Sequence, residues 1–106
     1  MMTWGNKNRD WHALVADIQS EIDANKSIIS AEHISSIEHY LEHGEYSMAF
    51  EYLLLEIMEN ADANFTLGVE KAQEIGLFFD LSDPNECMID GEFWGKFQTF
   101  LAKKSL

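Results

Sequence analysis

Apolar residues recur along the first third of the chain at Trp11, Leu14, Val15, Ile18 and Ile22, with Asp17, Glu21 and Asp23 off that stripe. Spacings of three, four and seven residues put side chains on one face of an α-helix, so this stretch predicts an amphipathic first helix with Asp10 as its N-cap. A second helix begins near Ser30, where Ile34, Ile37 and Leu41 share a face. Gly44 is placed to end it in the left-handed conformation that glycine adopts cheaply. The segment from Glu45 to about Asn60 has Tyr46, Ala49, Phe50, Leu53, Leu54 and Ile57 on one broad face and Met48, Tyr52, Leu55 and Met58 on other sides. A helix apolar nearly all round must be covered on several sides, which places this one at the centre of a bundle.

Beyond it, Thr66 is a candidate cap for a fourth helix with Glu70 near its start, and Ile75-Gly76-Leu77 reads as its end, with glycine at the stop. Gly68 and Ala72, one turn apart, would let a neighbouring backbone approach closely. Asp83-Pro84-Asn85-Glu86 has proline at a first helical position among acids, the mark of another helical start that Gly91 would interrupt. A last helix carries Phe93, Phe97, Phe100 and Leu101 on one side, with Lys103 and Lys104 where the helix dipole favours cations. No alternating strand pattern competes. The expected fold is all-α, a small antiparallel bundle of about five helices around a central hydrophobic helix near 45–60.

At 106 residues and 12.2 kDa the chain has room for a single domain spanning 1–106, and 46% hydrophobic residues with one proline exclude disorder and low-complexity architectures. An apolar run such as Tyr52 to Leu55 is far short of the roughly 20 residues a membrane-spanning helix needs. The first ten residues lack the apolar core of a secretion signal, and the single cysteine, Cys87, cannot form an internal disulfide. A cytoplasmic location is expected.

Few residues invite catalytic or metal chemistry. His39 and His43 are four apart, a spacing that can hold zinc, but Tyr40 follows His39 where a metalloprotease has its glutamate, no third ligand is marked, and both point away from the apolar stripe. His12 and His33 add nothing to that set. Asp80, Asp83, Glu86, Asp90 and Glu92 do not fit a calcium loop, because Leu81 and Pro84 interrupt the alternation of oxygen ligands. They read as a solvated acidic edge. Cys87 lacks the surroundings of a nucleophile and reads as a packing residue, Asn64-Phe65-Thr66 matches a glycosylation acceptor that a chain without a signal does not use, and there is no glycine-rich phosphate loop. No catalytic residue, metal or cofactor is expected.

Charge changes the picture most. Nineteen acidic residues face seven basic ones for a net charge of -12, which disfavours direct binding to nucleic acid or anionic membranes. Between Asp17 and Glu59 there are ten acids and one base, Lys26. That excess exceeds the net charge of about 2–8 that suffices for solubility and suggests a basic protein partner, captured with the help of electrostatic steering. Nuclease toxins are such partners, since an enzyme that grips nucleic acid needs a positive cleft. A small acidic adaptor or regulatory module, binding through a helical face, is the alternative.

The run Ile37-Glu38-His39-Tyr40-Leu41-Glu42-His43-Gly44-Glu45-Tyr46-Ser47-Met48-Ala49-Phe50-Glu51-Tyr52-Leu53, followed by Ala72-Gln73-Glu74-Ile75-Gly76-Leu77, resembles the MafI family of small helical immunity proteins. Relatives of that family are encoded beside contact-dependent inhibition toxins in bacteria. The similarity spans about residues 30 to 80. It implies an immunity protein of the CdiI type that binds a cognate toxin domain, a basic protein and by expectation a nuclease, and blocks its cleft without catalysis. On that reading the candidate toxin-binding residues are Glu38, Glu42 and Glu45 with Tyr46 as an aromatic anchor, and Asp80, Asp83, Glu86 and Asp90 with Trp94 as a second anchor, core packing being the alternative role of both aromatics.

Overall fold

Two stretches of chain outside the regular helices are held down by carboxylates buried inside the bundle, and this ties the architecture together. The computed structural model describes residues 11–106 and contains, among them, five α-helices and no strand: α1 (Trp11–Asp23), α2 (Ala31–Glu42), α3 (Tyr46–Glu59), α4 (Val69–Phe78) and α5 (Phe93–Lys104). The expected cap Asp10 lies outside the described residues. Helix α3 packs against α1, α2 and α5, as its nearly continuous apolar surface requires. Its Ala49, Phe50, Leu53 and Leu54 are fully buried. Phe50 meets Phe97 of α5 edge-on at 6.1 Å, and Phe93 stacks on Phe97 at 5.1 Å.

Helices α2 and α3 form a hairpin closed as the sequence predicts. The Ser30 side chain accepts the His33 N–H to start α2. At its end Gly44 takes φ +75°, its N–H bonds the Leu41 carbonyl at 3.2 Å, and the Glu45 N–H bonds the Tyr40 carbonyl at 2.9 Å. These two bonds satisfy the last carbonyls of α2 in a Schellman arrangement.

Several local expectations are corrected. Thr66 does not cap α4, which starts from Gly68 at φ +88°; the Thr66 hydroxyl and N–H instead donate to Glu21. Gly68 thus serves as a cap and not as a point of close approach. Gly76 does not stop α4. The helix runs to Phe78, and the left-handed residue that ends it is Asp80, at φ +60°. The Asp80 N–H bonds Leu77 and the Leu81 N–H bonds Gly76, both at 3.0 Å, repeating the closure of α2 without a glycine. Gly76 is needed elsewhere: a Cβ there would lie 2.9 Å from the Trp94 ring and 3.0 Å from that of Phe97, so α5 crosses α4 at this glycine. The expected helical start at Pro84 is only a single 3-10 turn, Pro84–Glu86, over before Gly91, with the Asp83 side chain accepting the Asn85 N–H at 2.9 Å. Tyr46, placed on the buried face, is half-buried, and Glu21, placed off the stripe, is buried.

Candidate functional site

The candidate acids differ in how far the fold itself neutralises them. Glu38, on the outer side of α2, receives Lys26 at 3.3 Å and the Gln19 amide at 3.1 Å. Asp90 takes the Lys96 ammonium at 2.6 Å and the Glu92 N–H at 2.8 Å, and these contacts, the lysine first, hold its carboxyl below the usual aspartate range. The same contact raises the Lys96 ammonium. Asp83 is exposed and caps the 3-10 turn, and Asp80 is exposed in the left-handed closure of α4. Glu42, Glu45 and Glu86 are exposed, and no ion pair among the described residues includes them.

Glu42 is the last residue of α2. The negative end of a helix dipole disfavours a carboxylate there, whereas Glu45, at the N-cap of α3, stands at a positive end. Beside them an open groove of about 330 Å³ is lined by Trp11, Gly44, Glu45, Tyr46, Met48 and Phe79. Trp11 is 44% exposed, with its ring 5.3 Å from Tyr46 and 5.5 Å from Phe78. The fold therefore brings Glu45 and Tyr46 together with the end of α4, where Phe79 precedes Asp80. It does not bring Glu38 there, since Glu38 faces Lys26. Trp94 lies on α5, half-buried over Gly76 with its ring 5.4 Å from Phe97, so part of its surface serves helix packing.

The residues that sequence reasoning missed are the buried polar ones. Glu51, fully buried on α3, accepts the N–H groups of three consecutive residues: Met88 at 3.0 Å, Ile89 at 3.2 Å and Asp90 at 2.8 Å. Asn25, also fully buried, accepts the Asn64 N–H at 2.7 Å and donates to the Asn64 carbonyl at 3.0 Å, close to the Glu21 contact with Thr66. Polar groups this deep are satisfied by such bonds or cost several kcal/mol, roughly 2–7 on transfer scales. The only signal in the sequence was a glutamate amid Phe50, Tyr52, Leu53 and Leu54.

His39 and His43 are exposed with ring centroids 4.2 Å apart, and His43 Nδ1 donates to the His39 carbonyl at 2.8 Å. Among the described residues no three His, Cys, Asp or Glu side chains converge as a metal site. Cys87 is half-buried and its thiol donates to the Leu81 carbonyl at 3.3 Å; burial, then the charges of Glu51, Asp90, Asp83 and Glu86, pushes its pKa up. No helix among the described residues is long and apolar enough to cross a membrane.

No family model, curated protein or solved structure matches this chain. The resemblance to the MafI family therefore stands on the sequence motif alone.

Proposed function

We propose that this chain is an immunity-type inhibitor that binds and neutralises a basic toxin domain, with a nuclease as the expected activity, by covering its positive cleft. The observation that carries this reading is the distribution of counter-charges. Lys26 is engaged by Asp23 and Glu38, Lys71 by Asp17 and Lys96 by Asp90, each within 3.5 Å, while Glu42, Glu45 and Glu86 have no such partner among the described residues. These three lysines are tied into the fold, Lys103 and Lys104 stand apart at the end of α5, and the acids without a counter-charge are directed outward.

Position supports the same reading. Glu42 stands where a helix end disfavours negative charge, so its placement works against stability and is accounted for by an external cation. The adjoining groove offers Trp11 and Tyr46, residue types enriched among interface anchors. Such a surface performs inhibition by occupying a cleft in place of RNA or DNA, and it requires no catalytic step and no metal.

The test is co-expression. Cells producing the toxin domain encoded by the reading frame next to this gene should survive when this chain is co-expressed and die when it is not. Death in both cases, or the absence of any toxin-like neighbour, would overturn the reading.

A further inference from the structure

The described residues expose few large apolar side chains, and two of these are adjacent: Met88, 68% exposed, and Ile89, 41% exposed. They lie in the connection between the 3-10 turn and α5, a segment without regular structure of its own. Such a segment would ordinarily be mobile, and its apolar side chains would fold back onto the core. Here the backbone is fixed from below. The Glu51 carboxylate grips the N–H groups of Met88, Ile89 and Asp90, and the Cys87 thiol bonds the Leu81 carbonyl. Asp90 is fastened in turn to Lys96 at the start of α5. The N–H groups of this backbone are drawn inward, while Met88 stays mostly in water and Ile89 partly so.

That arrangement costs free energy in the isolated molecule, since exposed apolar surface forgoes the gain of leaving water. It also removes the ordering cost that a loose loop would meet on binding. The flanking acids Asp83, Glu86 and Glu92 are exposed. An apolar knob bordered by negative charge is complementary to an apolar recess bordered by positive charge. The same acids repel an anionic lipid surface and the equally acidic surface of a second copy of this chain.

We infer that Met88 and Ile89, held by Glu51, form a preorganised knob that inserts into an apolar recess on a basic protein surface. Identifying that surface with the cleft of the toxin rests on the function proposed above. The acids set how fast the partners meet, and the knob sets how long they stay together.

The decisive comparison measures binding of the neighbour-encoded toxin domain to the wild type and to the double variant Met88→Ser/Ile89→Ser. The variant should dissociate about tenfold faster or more, associate at nearly the wild-type rate and melt at the same temperature. Unchanged dissociation would overturn the knob and leave the inhibitor reading standing. Should the wild type fail to bind the toxin domain, that reading falls, and a displayed library of random 12-residue peptides decides the knob instead. Enrichment of peptides pairing Lys or Arg with apolar residues, lost in the double variant, supports it. No enrichment, or enrichment indifferent to the variant, overturns it, as does concentration-dependent self-association that the double variant abolishes.

Discussion

The Glu51 carboxylate, in the middle of the central helix, accepts the backbone N–H of Asp90 at 2.8 Å across 39 residues of sequence. Through it the acidic connection before α5 is fastened to the core in addition to its own turns. Glu21 does the same for the stretch before α4 through Thr66. The molecule thus carries buried carboxylates as fasteners for surface segments, and the outward acids sit on a frame held by inward ones.

Replacing Glu51 by alanine leaves three N–H groups without their acceptor; because Met88 and Ile89 are exposed and water reaches part of this backbone, the expected loss is about 2–4 kcal/mol, below the full sum at about 1–3 kcal/mol for each buried group left unpaired. Glu51→Gln should lose less, because its amide oxygen still accepts. Urea unfolding gives the stabilities, and amide exchange at residues 88–90 should quicken at least tenfold in the alanine variant. Unchanged exchange there would mean the fastening is not formed.

Helix placement was legible because burial and periodicity coincide: Leu14, Ile18 and Ile22, or Ile34, Ile37 and Leu41, repeat at helical spacing and all are buried. Gly44 was legible because a glycine between two apolar periodicities has few other uses. Gly76 was misread by the same logic, since a glycine that stops a helix and one that admits a crossing helix look alike until Trp94 and Phe97 are seen against it. Asp80 was hidden for the converse reason: it adopts the left-handed conformation without being glycine. Glu21 and Glu51 were invisible as core residues because their partners, Thr66 and residues 88–90, are backbone and hydroxyl groups distant in sequence. Of the candidate site, the exposure of Glu42, Glu45 and Glu86 was legible, whereas the neutralisation of Glu38 by Lys26 depended on the turn after α1.

The left-handed Asp80 gives a clean backbone test. Asp80→Gly and Asp80→Ala both delete the carboxylate, so their difference isolates conformation. The glycine variant should be the more stable by about 1 kcal/mol, the order of the cost of this conformation for a residue with a Cβ. Equal denaturation midpoints for the two would contradict the closure described for α4.

Cys87 should be a slow nucleophile. Burial and the surrounding carboxylates raise its pKa, which keeps it as the neutral thiol at pH values where a free cysteine, with a pKa near 8.5, has begun to ionise. Iodoacetamide should modify the native protein more slowly at pH 8.5 than the protein unfolded in urea. By linkage, the raised folded value contributes stability that is present below the unfolded pKa and is lost as the pH rises through the folded one. Equal alkylation rates in the two states would exclude the shift.

Glu42 should show function opposed to stability. Glu42→Gln removes a carboxylate from the negative end of α2 and is expected to stabilise the fold by about 0.5 kcal/mol. The pair Glu42→Gln/Glu45→Gln should nevertheless slow association with the basic toxin domain and flatten its salt dependence, leaving dissociation nearly unchanged. Stopped-flow mixing over a series of salt concentrations reads both. Association kinetics identical to the wild type at low salt would remove these acids from the encounter.

The most direct measurement is a titration of the purified protein into the neighbour-encoded toxin domain while nucleic-acid cleavage is followed, with and without a chelator added to the inhibitor beforehand and then removed. Cleavage should fall linearly to zero at one inhibitor per toxin, and the chelator should change nothing. Full inhibition at a small fraction of that ratio, inhibition lost after chelation, or cleavage persisting at excess inhibitor would contradict stoichiometric, metal-free inhibition.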